Sequence, residues 1–210
     1  MFEFEEFPKI ARLKRTVFIT EKVDGTNAQI KWVPIPLDQE IAFTSSDPNV
    51  ILTKTTPEGI AMALLCGRRT GWIQREGPDN YGFRAWCIAH ADDLFKLGEG
   101  SHFGEWYGLG IQRGYDLPDK RFALFNTVRW NPNNPNKPDC CGVVPVLAFG
   151  ENVDDDKVMG DLDAGGSVIA PGYKNPEGIV IYHTASRQLY KRTFKDDGGK
   201  WKKAQQGIAA

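Results

Sequence analysis

The order of apolar and polar residues predicts two strands joined by a tight turn near the start of the chain. An apolar run over residues 17–19 leads to Lys22, and Asp24-Gly25 is a dipeptide typical of turns. After the turn, apolar and polar side chains alternate over residues 28–33, which is typical of a half-buried strand. Residues 16–33 are therefore predicted to form two strands, with Lys22 where the first one stops.

Helices are predicted in two further places, and strands in most of the second half. One helix is expected from Thr56 through Leu65, with threonine as N-cap and proline at its first position. Another is expected from Phe83 to Leu97, because apolar residues recur there at helical spacing. The later strands are predicted over residues 102–109, 121–130, 143–149, 178–183 and 188–194.

Two polar segments are predicted to be loops. Residues 130–141 repeat Asn and Pro, and residues 154–166 combine acidic residues with glycines. The order of elements is mixed rather than a regular β-α-β alternation, so the expected fold class is α+β, with antiparallel sheets flanked by helices. We expect one domain over residues 1–195 and a short polar tail over residues 196–210, either one turn of helix or disordered.

Composition and charge limit what the chain can be. Its 210 residues, 41% of them hydrophobic, are enough for a packed core. The net charge of −1 gives no global basic field, so any contact with nucleic acid must come from a local patch. No apolar run is long enough to span a membrane, and the acidic N-terminus lacks the basic start of a signal peptide, so we expect a cytoplasmic protein. The four cysteines include no C-x-x-C pair and the three histidines are scattered, so a structural metal is not expected.

Residues 21–27, Glu-Lys-Val-Asp-Gly-Thr-Asn, resemble the K-x-D-G motif of the covalent nucleotidyltransferases, which include polynucleotide ligases and RNA capping enzymes. The flanking residues are most similar to the T4 RNA ligase 2-like branch. The resemblance implies that Lys22 is the nucleophile, that Asp24 polarises or positions the site, and that nucleotide contacts come from Glu21, Gly25 and Asn27. A lysine is a nucleophile only after it loses its proton, which burial and nearby cations favour. The alternative is a plain β-turn with a surface lysine.

Four further segments resemble the family's motifs, in the family's order. Glu105 is implied to face the ribose, and Phe125 is implied to stack on adenine. Glu177 is implied to help hold the catalytic metal, and Lys191 is implied to contact the α-phosphate. Each also has a simpler interpretation: an exposed strand glutamate, a core phenylalanine, a turn glutamate and a charged edge strand.

Two positions depart from the pattern of this branch, and one more segment fits it. Asn126 stands where the branch has an aspartate, and Thr193 stands where it has the second lysine of K-x-K, a loss for which Lys195 could compensate. Arg68 and Arg69 belong to a segment that resembles the basic R-T-G-like segment with which this branch touches the end of the nucleic-acid strand. Arginines suit bidentate phosphate contact, although a solvated loop is the alternative.

The resemblance implies an ATP-dependent RNA ligase with a nucleotidyltransferase (ATP-grasp-like ligase) fold. It would use ATP with Mg²⁺ or Mn²⁺ and join 5′-phosphate and 3′-hydroxyl ends through a lysyl-AMP intermediate. The expected partners are RNA ends, in a nicked duplex or single-stranded, with a helper protein or a substrate-holding domain in trans as an option. Fifteen residues follow Lys195, so no OB domain of the kind found in capping enzymes is expected. A minimal DNA ligase and a catalytically silent nucleic-acid-binding module of the same fold are the alternatives.

Overall fold

The structure is a computed structural model that describes residues 3–36, 46–131 and 133–195. The chain divides into two compact units. Unit 1 comprises Met1–Lys22 and Pro145–Ala210, and unit 2 comprises Val23–Val144. The boundary therefore falls inside the Lys-Val-Asp-Gly motif. The predicted tail over residues 196–210 lies outside the described residues.

The described residues form strands, short helices and single 3₁₀ turns. The strands are β1 (Val17–Lys22), β2 (Thr26–Pro34), β3 (Val50–Thr55), β4 (Ala61–Arg68), β5 (Gly71–Ile73), β6 (Gly100–Gly108), β7 (Lys120–Leu124), β8 (Cys141–Val143), β9 (Val146–Gly150), β10 (Gly178–His183) and β11 (Gln188–Thr193). The helices are α1 (Phe83–Ala89), α2 (Ala91–Leu94) and α3 (Asp155–Gly165), and Phe95–Leu97 and Gly114–Asp116 form single 3₁₀ turns. No helix among the described residues is long and apolar enough to cross a membrane.

Unit 1 contains a four-stranded antiparallel sheet in the order β11-β10-β1-β9. Helix α3 packs on one face, where Met159 and Leu162 meet Ile19 and Ile179 of the central strands. Because side chains alternate between the two faces of a strand, Ile19 points to the helix while Phe18 and its even-numbered neighbours point to the opposite face. That opposite face carries Lys22, and we call it the Lys22 face.

Unit 2 contains a seven-stranded sheet in the order β3-β4-β2-β6-β7-β8, with β5 paired to β4. One face and the helical segments after residue 83 enclose the main core, in which Trp32, Trp106 and Phe122 are buried. All of its pairings are antiparallel except β7 with β8, which is parallel. The predicted α+β class with mainly antiparallel sheets is confirmed, and no OB domain is evident in the described part of the chain.

The helix predicted from Thr56 to Leu65 is wrong, because this region is a turn followed by strand β4. Gly59 has a φ of 86°, and the backbone N–H of Thr56 donates to the carbonyl of Ile60 at 2.9 Å. The apolar run of β4 lies between β3 and β2 and is buried on both faces. A strand buried on both faces lacks alternation, so its apolar run cannot be distinguished from a buried helix by periodicity.

The loop predicted over residues 154–166 is also wrong, because most of it is helix α3. The Asp154 side chain accepts a hydrogen bond from the backbone N–H of Lys157 at 3.0 Å and caps the helix. Two further aspartates in the first turn suit the positive end of the helix dipole. The acidic residues, which contribute to the prediction of a loop, are the N-cap and first turn of the helix, and its buried residues are only Met159 and Leu162.

Three other elements differ in extent from their predictions. The helix predicted from Phe83 to Leu97 is broken at His90 into α1, α2 and a 3₁₀ turn that ends at Gly98. The strand predicted over 121–130 ends at Leu124, and the one predicted over 143–149 is divided by Pro145 between β8 and β9. The strands predicted near 102–109, 178–183 and 188–194 are confirmed.

Candidate active site

Lys22 and Glu177 form an ion pair in unit 1. The Lys22 Nζ lies 2.6 Å from the Glu177 Oε2, and the two side chains are only 23% and 17% exposed. The sheet register explains their meeting, because Lys22 ends β1 directly opposite Gly178, the first residue of β10. The Glu177 carboxylate, one residue before β10, therefore lies at the end of β1 that carries Lys22.

Gly178 is required by this arrangement of strands. Its φ is 149°, and a Cβ at this position would lie 2.1 Å from the carbonyl oxygen of Arg192 and 2.8 Å from the Cα of Thr193. Neither neighbour is a flexible side chain, so a larger residue would push β11 away from β10. The glycine after Glu177 therefore keeps the two strands at hydrogen-bonding distance.

Lys191 lies on the Lys22 face. It pairs with Val180 on β10, which in turn pairs with Thr20 on β1, two residues before Lys22. The Lys191 side chain is exposed, whereas Thr193 is only 5% exposed. Arg192 points to the opposite face and pairs with Asp155 of helix α3 at 2.6 Å.

The Glu21 carboxylate lies on the opposite side of the sheet from Lys22 and is 1% exposed. It accepts hydrogen bonds from the Ser167 hydroxyl at 2.6 Å and from the backbone N–H groups of Val168 and Ile169 at 2.8 and 2.9 Å. Three donors compensate the cost of burying this charge. The side chain thus anchors the segment after α3 to the lysine strand. The predicted contact of Glu21 with the nucleotide stays a prediction.

Asp24 is held by a strained segment within unit 2. Its Oδ2 accepts a hydrogen bond from the Arg113 Nε at 2.7 Å, and its backbone N–H donates to the Tyr115 hydroxyl oxygen at 2.6 Å. Gln112 and Tyr115 have positive φ angles of 46° and 56°, which are uncommon for residues other than glycine. Strain of this kind persists where surrounding contacts impose it, and here it supports the aspartate of the motif.

The Glu105 carboxylate binds the residues that follow Asp24. One oxygen accepts from the backbone N–H of Gly25 at 3.2 Å and the other from the Asn27 side chain at 3.1 Å. Glu105 is 8% exposed, so the interpretation as an exposed strand glutamate does not hold. A Cβ on Gly25 would lie 2.4 Å from the carbonyl oxygen of Trp106, so only glycine allows the turn to approach β6 this closely. A ribose contact by Glu105 stays a prediction.

Phe125 follows β7 and is 40% exposed, so it is not a core residue. Its backbone N–H donates to the carbonyl of Phe103 at 2.9 Å, and Phe103 is itself exposed. Strand alternation places both rings on the sheet face of Glu105, away from the main core. The adjacent Asn126 accepts a hydrogen bond from the backbone N–H of Arg129 at 3.0 Å, a local turn contact that an amide makes as well as a carboxylate.

Arg68 and Arg69 lie at the exposed turn between β4 and β5. Their exposure suits contact with an external phosphate, and that role stays a prediction.

The described residues contain no group of three or more His, Cys, Asp or Glu side chains that could hold a metal ion. The predicted metal role of Glu177 would therefore rely on substrate oxygens and water for the remaining ligands, as Mg²⁺ sites commonly do.

Sequence reasoning missed the residues that support the motif. Ser167, Arg113 and Tyr115 contact positions that lie 89 to 146 residues away along the chain. Their local sequence does not predict these contacts, because each residue bonds to the motif through a loop whose course depends on the tertiary fold. The one local signal was the clustering of glycines around residues 108–114.

Solved structures define the class of the fold. A point variant of Naegleria gruberi RNA ligase with ATP and Mn gives a TM-score of 0.56 at 18% identity, over 90% of this chain and 52% of that one. Another variant with ATP and Mn gives 0.55 at 17% identity, and the same ligase with PPi gives 0.53 at 18% identity, each over 86% of this chain and 50% of the other. This chain thus spans about half the length of those chains, and its fold is that of an RNA ligase domain.

The sequence comparison gives the family. The RNA ligase family model matches residues 15–203, so the chain belongs to the RNA ligase family. A comparison with curated proteins gave no match. The finer assignment to the T4 RNA ligase 2-like branch stays a prediction.

Proposed function

We propose that the chain is an ATP-dependent RNA ligase that joins 5′-phosphate and 3′-hydroxyl ends through AMP bound covalently to Lys22. The observation that carries the proposal is the partly buried Lys22–Glu177 pair at 2.6 Å, with Lys191 on the same sheet face. Membership of the RNA ligase family and the ATP, Mn and PPi named with its structural neighbours support it.

The reaction would proceed in three phosphoryl transfers. The Lys22 Nζ attacks the α-phosphorus of ATP, a P–N bond forms, and the bond to the bridging oxygen breaks to release pyrophosphate. A terminal 5′-phosphate oxygen then displaces the lysine and becomes linked to AMP. Finally a 3′-hydroxyl attacks the activated phosphate, forming the phosphodiester and releasing AMP. Positioning and charge neutralisation supply most of the catalysis in such transfers.

The side chains of unit 1 suit these demands. Lys191 projects from the Lys22 face and would donate hydrogen bonds to the oxygens of an α-phosphate whose charge shifts during the attack. A divalent cation, Mg²⁺ or Mn²⁺, held by Glu177 with phosphate oxygens and water would neutralise further negative charge. In unit 2, Asp24, fixed by Arg113 and Tyr115, would keep the turn after the nucleophile in one conformation.

The ion pair also defines what must change before Lys22 can react. A lysine attacks only through the lone pair of its neutral amine, so Lys22 must give up a proton before it reacts. The Glu177 carboxylate accepts a hydrogen bond from this amine at 2.6 Å, and turning the carboxylate toward a cation would break that bond and release the amine. ATP binding with its cation is therefore expected to activate the nucleophile as well as supply the phosphate.

The test is incubation with α-labelled ATP and Mg²⁺, followed by a denaturing gel. Wild-type protein should keep the label after denaturation, and Lys22→Ala should lose it. Lys22→Arg should also lose it, because arginine stays protonated at working pH. Lys157→Ala is the matched control, since that lysine lies exposed on α3 and pairs with Asp161.

Two outcomes would redirect the proposal. Equal labelling of wild type and Lys22→Ala would contradict the assignment of the nucleophile. Absence of label in wild-type protein that binds RNA would favour the catalytically silent module.

A further inference from the structure

The Lys22 face of unit 1 carries a row of apolar side chains across all four strands. Phe18 pairs with Phe149 on β9 and with Tyr182 on β10, and Tyr182 pairs with Leu189 on β11. Direct partners in antiparallel strands share a face, so the four side chains form one continuous apolar row. The rings of Phe18 and Phe149 stack, with centroids 6.0 Å apart and planes inclined by 16°.

Three members of this row are open to solvent, and Phe18 is half-buried. Phe149 is 71% exposed, Leu189 is 68% exposed and Tyr182 is 36% exposed. The opposite face of the same sheet packs on helix α3, so the row is not part of the core that stabilises unit 1. A contiguous exposed apolar patch on a soluble domain commonly marks a binding surface.

The charge of the surface indicates what it binds. The described strand residues on the Lys22 face include two lysines, Lys22 and Lys191, and no aspartate or glutamate. Glu177, one residue before β10, pairs with Lys22, so Lys191 supplies the positive charge beside the row. Interfaces between protein copies are depleted of lysine at their core, so the lysine beside the row does not favour a second copy. Aromatic rings beside cationic side chains are instead the combination that binds unpaired nucleotides, with bases stacked on the rings and phosphates near the lysines.

We propose that the apolar row formed by Phe18, Phe149, Tyr182 and Leu189 is a stacking surface for unpaired bases of an RNA strand whose end is placed at Lys22. Phe18 and Lys22 are four residues apart on one strand, or about 13 Å at roughly 3.3 Å per residue. Exposed aromatic residues on a β-sheet bind single-stranded RNA in this manner, stacking about two or three bases. The identity of the strand rests on the proposed function.

The direct test is fluorescence anisotropy with a labelled, 5′-phosphorylated single-stranded oligoribonucleotide in the absence of ATP. Phe149→Ala should weaken binding about 10-fold, in line with the usual contribution of one stacked base. Phe149→Trp should restore it, whereas Phe149→Leu, which keeps an apolar side chain but no ring, should not. Tyr190→Ala is the matched control, because Tyr190 is 55% exposed on the neighbouring position of β11 but faces the other side of the sheet.

The salt dependence separates stacking from charge. Phe149→Ala should leave the slope of log affinity against log salt unchanged, since it removes no cation. Lys191→Ala should reduce that slope by about 0.7, the value expected for one phosphate contact on a single strand. A general structural defect in unit 1 would not give an unchanged salt slope for Phe149→Ala together with a reduced slope for Lys191→Ala.

The results of these experiments distinguish failure of the stacking surface from failure of the proposed function. If wild-type protein fails to form lysyl-AMP but Phe149→Ala still weakens RNA binding, the proposed function fails and the stacking surface stands. Wild-type affinity of Phe149→Ala, or equal weakening by Tyr190→Ala, would overturn the stacking surface. So would a change in oligomeric state with unchanged RNA affinity, which would identify the row as an interface between copies.

Discussion

At the scale of single residues, we expect the chemistry proposed for unit 1 to depend on the charge of Glu177 more than on its shape. The carboxylate meets Lys22 at 2.6 Å and is the expected oxygen ligand for a cation. Glu177→Gln keeps the volume and loses the charge. It therefore separates an electrostatic role from simple packing.

We expect Glu177→Gln and Lys191→Ala each to slow formation of lysyl-AMP on the order of 100-fold, as for loss of one group that stabilises transition-state charge. The measurement is the rate of label incorporation from α-labelled ATP, with thermal unfolding to verify the fold. Glu151→Gln is the control, because Glu151 also lies in unit 1 but forms an exposed pair with Arg15. Wild-type rates in both variants would show that these two motifs are misassigned.

In unit 2, a substitution at Phe125 can separate stacking on adenine from a role in packing. Since its ring is 40% exposed, Phe125→Leu should change the melting temperature little. Loss of stacking on adenine should raise the ATP concentration needed for half-maximal adenylylation, by a factor that corresponds to about 1–3 kcal/mol. Titration of ATP in the labelling assay measures this directly. Unchanged ATP dependence together with lost stability would assign Phe125 to packing alone.

At the scale of elements, the sequence predicted strands well where only one face is buried. The strand after the Asp-Gly turn alternates, and its prediction was correct. Strand β4 is buried on both faces, so its apolar run was mistaken for a helix. Helix α3 was mistaken for a loop because its buried stripe consists of Met159 and Leu162 alone.

The same reasoning explains how far the site could be predicted. Lys22 and Glu177 were found because each belongs to a short motif beside a strand. Their contact follows from the β1–β10 register, which no local pattern encodes. Arg113 and Ser167 were missed because they act across long sequence separations. The residues for which we propose a chemical role could thus be predicted from the sequence, while those that hold them in place depend on the tertiary fold.

A carboxylate at the end of helix α2 links this helix to the start of β8. The Asp93 Oδ2 accepts from the backbone N–H of Cys140 at 2.7 Å, and the Lys96 Nζ lies 2.8 Å from the Oδ1. Burial alone would raise the pKa of Asp93, but the hydrogen bonds from Lys96 and Cys140 outweigh it and lower the pKa to about 2. A lowered pKa stabilises the fold above the unfolded-state value of about 3.9, and this stability is lost as the pH falls toward 2.

Asp93→Asn should therefore destabilise the protein at pH 7 by about 1 kcal/mol, a modest amount because solvent screens the pair. The difference from wild type should shrink between about pH 4 and pH 2, as the wild-type carboxylate becomes protonated. Urea unfolding at several pH values measures this. Asp139→Asn is the control, since Asp139 is 92% exposed and lies 3.7 Å from the same lysine. An equal difference at pH 2 and pH 7 would rule out the charge as the cause.

At the scale of the whole molecule, the motif residues are divided between the units. Unit 1 holds Lys22, Glu177 and Lys191, and unit 2 holds Asp24 and the residues after it. The net charge of −1 provides no general attraction for nucleic acid, so local features must select the substrate. The exposed Arg68 and Arg69 at the β4–β5 turn are one such feature, and they are expected to bind backbone phosphate.

Arg69→Ala should leave Lys22 adenylylation nearly intact and impair strand joining, because the arginine is expected to contact RNA rather than ATP. Joining by wild type should weaken as salt is added, since phosphate contacts release counterions. Arg121→Ala is the matched control, because Arg121 forms an exposed pair with Asp119 at 2.8 Å. Equal joining by Arg69→Ala and wild type would exclude the turn from the substrate site.

The decisive comparison for the substrate is a nicked duplex whose 3′-hydroxyl strand is either RNA or DNA. An RNA ligase should seal the RNA nick faster, because the 2′-hydroxyl is the group by which a protein distinguishes RNA from DNA at a given site. The assay uses protein already adenylylated at Lys22 and no free ATP, so that only the later steps are measured. Strong preference for a DNA 3′-hydroxyl strand would make the chain a minimal DNA ligase, while the role of Lys22 would stand.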